Sequence, residues 1–177
     1  MRDTVTVSLP PAIRRELDRI AAQEGLSRSD VLRASLEDYF FVRLVLDANV
    51  LIAAFVARGV CSELLEYCVR EHEVVTSAAI LEEVRRNLVD RIKVTTAQAD
   101  QTVRLLRTRL EEVEPVALES QVSRDPDDDV VLGTALAGQC EAIVTCDKDL
   151  LDLVAHQGIA IVSPRGFWSF ESRRAQG

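Results

Sequence analysis

The chain has 177 residues, 47% of them hydrophobic and 28% charged, with 7 glycines and 5 prolines. That composition excludes a disordered or fibrous chain, and the length suits one ordinary domain or one domain with a small appendage. A formal charge of -8 argues against nonspecific binding of polyanions through the overall field, so an enzyme acting on nucleic acid would need cations.

The chain opens on TVTVSLPP, where Val5, Val7 and Leu9 alternate with Thr4, Thr6 and Ser8, the two-residue period of a half-buried strand. Pro10 and Pro11 stop the strand and start a helix, in which Ile13, Leu17, Ile20 and Ala21 recur until Gly25. Ser27 or Ser29 caps a second helix carrying Val31, Leu32, Ser35 and Leu36 and ending near Phe41. About 41 residues bury too little surface to fold alone, which implies a partner chain. This β-α-α segment, residues 1–41, resembles a ribbon-helix-helix DNA-binding module. The resemblance implies two chains whose paired strands enter the major groove, with Arg2, Thr4 and Thr6 reading base edges and Ser27 and Ser29 holding phosphate. The alternative is a strand and helical hairpin used for dimerisation alone.

From Arg43 the run RLVLD reads as a strand, followed by helices over Asn49–Ala57 and Ser62–Arg70. Further strands are predicted at Glu73–Thr76, Pro115–Leu118, Ala142–Thr145 and Ala160–Val162, with helical segments between them. A long helix is predicted over Thr95–Val113, with Arg104, Arg107 and Arg109 on a solvated face. Trp168 and Phe170 are expected to pack the last helix against the sheet. The alternation predicts a parallel sheet with helices on both faces, a three-layer α/β/α domain over residues 42–177. No Gly, Ser or Pro linker separates the two parts, so restrained mutual orientation is expected. Cys61, Cys68, Cys140 and Cys146 form no CxxC pair and read as reduced structural thiols. The longest apolar run, Leu44–Ala57, is interrupted by Asp47 and Asn49, so no membrane span is expected. The start lacks the pattern of a signal peptide, which makes the cytoplasm the expected compartment.

Four acids fall where a parallel α/β fold makes its sites, after strands or at the starts of the following helices. Asp47 ends LVLD, Glu83 lies in the helix opened by Ser77, Asp129 begins the helix of DPDDDVVLGTAL, and Asp147 follows AIVT. Carboxylates brought close repel unless protonated or neutralised, and an oxygen-rich cluster suits Mg²⁺ or Mn²⁺. Such ions activate water toward a phosphodiester. Each acid also has a local competitor. Asp47 and Asp147 could simply cap helices, Glu82 would point about 100° away from Glu83, and Asp128 is the runner-up to Asp129 within a helix-start acidic run.

Residues 43 to about 172 resemble the PIN-domain nucleases through LVLDANV, TSAAILEEV, DPDDDVVLGTAL, VTCDKDLL and IVSPRGFW. The resemblance implies a metal-dependent ribonuclease, commonly the toxin of a bacterial toxin-antitoxin pair, with Asp47, Glu83, Asp129 and Asp147 as its catalytic, metal-holding quartet. Glu83 is chosen because it falls six residues after Ser77, as in the family pattern, and Asp149 is a supporting acid. Asn49 and Thr145 are read as orienting carboxylate or water. Arg124 and Lys148 are read as solvated. The leading expectation is a homodimer or higher homo-oligomer that cuts RNA and binds operator DNA. A repressor whose PIN-like half is catalytically weak or structural is the alternative. A phosphatase of the haloacid-dehalogenase type with nucleophilic Asp47 is disfavoured, because Asn49 stands where that family has a second aspartate.

Overall fold

A proline at the first helical position sacrifices no hydrogen bond, because the N–H there has no partner within the helix. Pro11 takes that place in helix α1 (Pro11–Glu24), and Gly25 ends the helix at φ +67°, a left-handed conformation that a side chain would strain. The structure, a computed structural model, describes residues 6–174. Helix α2 (Arg28–Phe40) follows. Its cap is Ser27, whose Oγ accepts from the Asp30 N–H at 3.1 Å and donates to the Asp30 carboxylate at 2.7 Å. Leu17 and Val31 are buried in this unit, Met1–Phe41, and Arg28 pairs with Asp18 across the hairpin. Val7, Ile13, Leu26 and Leu36 remain at least half exposed in the single chain. The expected strand is not formed over residues 6–10, since a ladder needs a second edge. Thr6 is exposed; Arg2 and Thr4 lie outside the described residues.

The second unit, Val42–Gly177, runs β1 (Arg43–Leu46), α3 (Ala48–Val56), α4 (Val60–Glu71), β2 (Glu73–Thr76), α5 (Ala78–Asp90), α6 (Thr96–Arg107) and β3 (Glu111–Glu112). It continues with α7 (Pro126–Ala137), β4 (Ala142–Val144), α8 (Lys148–Leu153), β5 (Ala155–His156), β6 (Ile159–Val162) and α9 (Gly166–Arg174). The six strands lie in the order β3-β2-β1-β4-β6-β5, parallel throughout except for the antiparallel β5–β6 pair. Successive residues of a strand face opposite sides of the sheet. The unbroken burial of Leu44, Val45 and Leu46 in β1, and of Ala142, Ile143 and Val144 in β4, therefore requires cover on both faces. Helix α7 packs against β1, β2 and β4, α4 against β2, and α8 and α9 against β6. The result is a three-layer α/β/α domain with one contiguous core. Among the described residues no single helix is long and apolar enough to cross a membrane.

Several local expectations are corrected. Residues 115–118 form no strand. Pro115 has no N–H to give a ladder, and the Val116 N–H bonds the Gly133 carbonyl of α7 at 3.1 Å. Helix α6 stops at Arg107, earlier than the apolar spacing suggested, and the chain then enters β3 beside β2. The β5–β6 hairpin has no counterpart among the predicted strands; Gln157 and Gly158, at φ +47° and +87°, make its turn with a left-handed pair. Phe167, not Trp168, is the buried anchor of α9, while Trp168 stays 38% exposed against Tyr67. All four cysteines are free, and burial pushes the Cys68 and Cys140 thiols up to about 12, leaving them protonated and inert.

A Cβ on Gly133 would sit 2.3 Å from the carbonyl oxygen of Val116, a residue held against α7 by its N–H donating to the Gly133 carbonyl. Gly133→Ala is expected to cost about 1–3 kcal/mol, read as a lower denaturation midpoint with an unchanged denaturant slope. The side chain of His72 is 2% exposed. Its Nδ1 accepts the Val42 N–H at 3.2 Å, so the neutral ring carries its proton on Nε2, 3.4 Å from Glu171 Oε2. Burial holds its pKa below the ordinary 6.5, although the Glu171 charge opposes this. The unfolded chain therefore takes up this proton first as pH falls. Stability from this group is full above about pH 6.5 and is lost progressively below it, down to the folded pKa. Thermal unfolding of the wild type and His72→Asn across pH 5–8 should show a shallower acid slope in the variant.

Candidate active site

In an open parallel sheet the crevice lies beyond the carboxyl ends of the strands, where the strand order reverses. Here β1 is flanked by β2 on one side and β4 on the other, with Leu46 paired to Val144. Asp47 follows β1 directly and Asp147 follows β4 by three residues, so the register alone sets both at one edge of the sheet. A polar cavity of about 220 Å³ opens there, and Asp47, Glu83, Asp128 and Asp147 all line it. A larger groove of about 660 Å³ elsewhere on this unit, bordered by Phe55, Leu65 and Leu105, is apolar and contains none of these acids.

Asp47 is 4% exposed and occupies the N-cap position of α3 without capping it through its side chain. Thr145 Oγ1 donates to Asp47 Oδ2 at 2.7 Å and accepts the Asp147 N–H at 2.8 Å, joining the two strand ends through one buried hydroxyl. Burial raises the Asp47 pKa most, with the Asp147 charge adding to it; the hydrogen bonds from Thr145, Ala48 and Asn49 oppose the rise. Asn49 is exposed at the cavity wall. Asp147 uses Oδ1 to cap α8, accepting the Asp149 N–H at 2.7 Å. Asp149 itself is exposed and its side chain does not line the cavity.

On α5, opened by the Ser77 cap, Glu83 faces the cavity and accepts from Asn87 Nδ2 at 3.2 Å. Its pKa is raised by burial first, then by the charges of Asp47 and Asp127. Glu82 is absent from this cavity and pairs with Arg85 at 3.4 Å. The acidic run places its members differently from the sequence expectation. Asp129 is drawn off the cavity: its carboxylate accepts the Val122 N–H at 3.1 Å and the Ser123 N–H at 2.9 Å, anchoring the loop before α7. Asp128, 9% exposed, lines the cavity instead and accepts from Ser123 Oγ at 2.5 Å. Burial, reinforced by Asp147, Asp125 and Asp47, pushes its carboxyl up to about 6 against the Ser123 bond. At the helix start the two residues diverge by about 100°, and the amides of residues 122 and 123 decide which one turns inward.

The fold also brings in Arg86, Asn87 and Arg91, which the sequence reading passed over, together with Asp125 and Asp127 of the acidic run. Three of these follow Glu83 by three, four and eight residues, a helical-face spacing already visible in EEVRRNLVDR. Lys148 is outside the cavity lining and pairs with Asp152 at 3.0 Å. Arg124 is exposed and also outside that lining.

The PIN-domain family model matches residues 43–149. The chain belongs to the PIN-domain family. A second family model, for ribbon-helix-helix proteins of the copG family, matches residues 4–40, so a ribbon-helix-helix module precedes the PIN domain. Among solved structures, VapBC2 from Rickettsia felis, bound to a DNA fragment from their promoter, is similar at 15% identity and a TM-score of 0.52, covering 68% of this chain and 98% of that one. That likeness is one of fold. No curated protein matches the chain.

PIN-domain membership raises the question of a divalent cation, and the donor set fits one: the facing groups are carboxylate oxygens, hard donors that suit Mg²⁺ or Mn²⁺. In the arrangement described, no three His, Cys, Asp or Glu side chains among the described residues converge on one point. The Asp147 charge raises the pKa of both Asp47 and Asp128, a repulsion that a bound cation would relieve. The electrostatics can be tested without any ion. Asp128 binds its proton more tightly folded than unfolded, so its contribution to stability is full below about pH 3.8 and is lost as pH rises through about 6. Asp128→Asn keeps an acceptor for Ser123 and removes the charge. In EDTA it should melt higher than the wild type at pH 8, with the difference vanishing by pH 4.

Proposed function

We propose that the PIN domain, residues 42–177, is a Mg²⁺- or Mn²⁺-dependent ribonuclease, and that residues 1–41 are a DNA-binding and dimerisation module. The observation that carries this reading is the meeting of Asp47, Glu83, Asp128 and Asp147 at one polar cavity beyond β1 and β4 of a PIN fold. Those four would hold the ion; Asp128 replaces Asp129, whose carboxylate is engaged by the loop amides. When bound, such an ion supplies a Lewis acid for phosphoryl oxygens and makes water a better nucleophile.

The chain's own groups do the positioning. Thr145 fixes Asp47 Oδ2, and Asn87 fixes Glu83 Oε1, so that Oε2 of Glu83 is the oxygen left to ligate or to take a proton from water. Asn49, at the wall beside Asp47, is placed to orient water or a carboxylate. The N-terminal module leaves apolar residues exposed in the single chain, which supports pairing of two copies. In the paired state Arg2, Thr4 and Thr6 would face base edges, with Ser27 and Ser29 near phosphate. The similar Rickettsia structure is a VapBC2 assembly on promoter DNA. By analogy we read this chain as a toxin-antitoxin type protein whose DNA-binding and nuclease parts are made in fixed stoichiometry.

Purified full-length protein and Asp47→Asn are to be incubated with single-stranded and structured RNA in Mg²⁺, in Mn²⁺ and in EDTA. Cutting is expected with either ion and not in EDTA, with the variant slower by about a hundredfold or more. Retention of a promoter duplex with no cleavage under any condition would overturn the nuclease reading in favour of a repressor with a structural PIN domain.

A further inference from the structure

The cavity that gathers the carboxylates also holds two cations, Arg86 and Arg91, the only positively charged side chains among the described residues of its lining. Arg86 lies on the face of α5 that carries Glu83, and Arg91, the C-cap residue in right-handed helical conformation, continues it: relative to Glu83, successive steps of about 100° put Arg86 near -60°, Asn87 near +40° and Arg91 near +80°. The neighbouring Arg85 falls near 200° and turns away, where Asp100 holds it at 2.7 Å and Glu82 at 3.4 Å. The dipeptide Arg85-Arg86 is thus divided between a fastened outward residue and an inward one.

Neutralising the acids would be the simple purpose of such cations, but the geometry differs from that of the arginines that neutralise acids elsewhere in the chain. Arg43 is fastened to Glu73 and Glu111, and Arg85 to Asp100, by hydrogen-bonded pairs. Arg86 makes only a looser ion pair with Asp127, at 3.6 Å and beyond a hydrogen bond; its charge lowers the Glu83 pKa, and 56% of its side chain stays exposed. Arg91 is exposed and, among the described residues, carries no side-chain hydrogen bond or ion pair. Two guanidinium groups with open donors therefore border a cavity inside a chain of net charge -8. A planar fork of N–H donors matches the oxygens of a phosphate.

On the nuclease reading above, the acids and their ion deal with the phosphodiester being cut, and nothing in that set attracts the next phosphate along the strand. We propose that Arg86 and Arg91 grip a phosphate flanking the scissile one, so that the substrate class is an oligonucleotide with a charged phosphate beside the cut, not an isolated phosphodiester. Each arginine is a substrate-binding residue, and the pair supplies the local attraction that the overall charge opposes.

The test measures binding apart from cleavage. Full-length Asp47→Asn, alone and combined with Arg86→Gln and Arg91→Gln, is titrated against a fluorescein-labelled single-stranded RNA 12-mer over a salt series. Each phosphate contact on a single strand contributes about 0.7 to the slope of log affinity against log salt. Loss of both arginines removes that one phosphate contact and should lower the slope by about 0.7, weakening binding about fivefold at moderate salt. Arg86→Lys with Arg91→Lys should keep most of the slope, and Arg104→Gln on α6 should leave it unchanged. An unchanged slope in the glutamine pair, with wild-type protein still cutting RNA in Mn²⁺, overturns the clamp and leaves the nuclease reading standing. Equal loss in Arg104→Gln also overturns it, since any surface cation would then serve. Wild-type protein that neither binds nor cuts the RNA overturns both.

Discussion

One buried hydroxyl ties the second unit together chemically. Thr145 Oγ1 has a single proton, which it gives to Asp47, and it accepts the amide of Asp147 in return. That arrangement exists only because β1 and β4 are adjacent and parallel with Leu46 opposite Val144. A register shift of one residue would turn Asp47 and Thr145 to opposite faces and leave a buried carboxylate without its donor. The core on both sides of these strands holds the register, and the register holds the acids.

The acids are an expense that the fold must contain. Asp47 and Asp128 are nearly removed from water, and the Asp47 charge helps to raise the Asp128 pKa. Such a cluster is opposed by hydrogen bonds from Thr145, Ala48, Asn49 and Ser123, none of which restores full solvation. Functional sites characteristically retain this kind of tension, because a group that is comfortable without its ligand gains little from binding one.

The two units solve different packing problems. The PIN domain buries a sheet on both faces and closes a core of its own. The N-terminal unit buries Leu17 and Val31 yet leaves Val7, Ile13, Leu26 and Leu36 in solvent, a balance that suits association of like chains. Joining them covalently, with only Phe41 and Val42 between α2 and β1, fixes their ratio at one to one.

Much of this was legible in the chain itself. Periodicity fixes element type, so β1, β2 and β4 and the helices around them follow from apolar runs bounded by caps such as Ser77 and Asp125. The strand-end positions of Asp47 and Asp147 needed only the order of elements; the helical period says that only one of Glu82 and Glu83 can face the site, and the family resemblance picks Glu83. Tertiary structure decided the rest. Whether Asp128 or Asp129 enters the cavity depends on the amides of Val122 and Ser123, which approach from a loop whose path no local pattern encodes. The segment at 115–118 has strand composition but lies on α7, because Gly133 leaves room for the Val116 carbonyl to come close. Arg85 and Arg86 are the same residue type side by side, and only the position of Asp100 on α6 and of the cavity on the other side gives them different surroundings. A sequence records spacing along one chain, which suffices for faces and ends; partners that arrive from distant segments are set by packing.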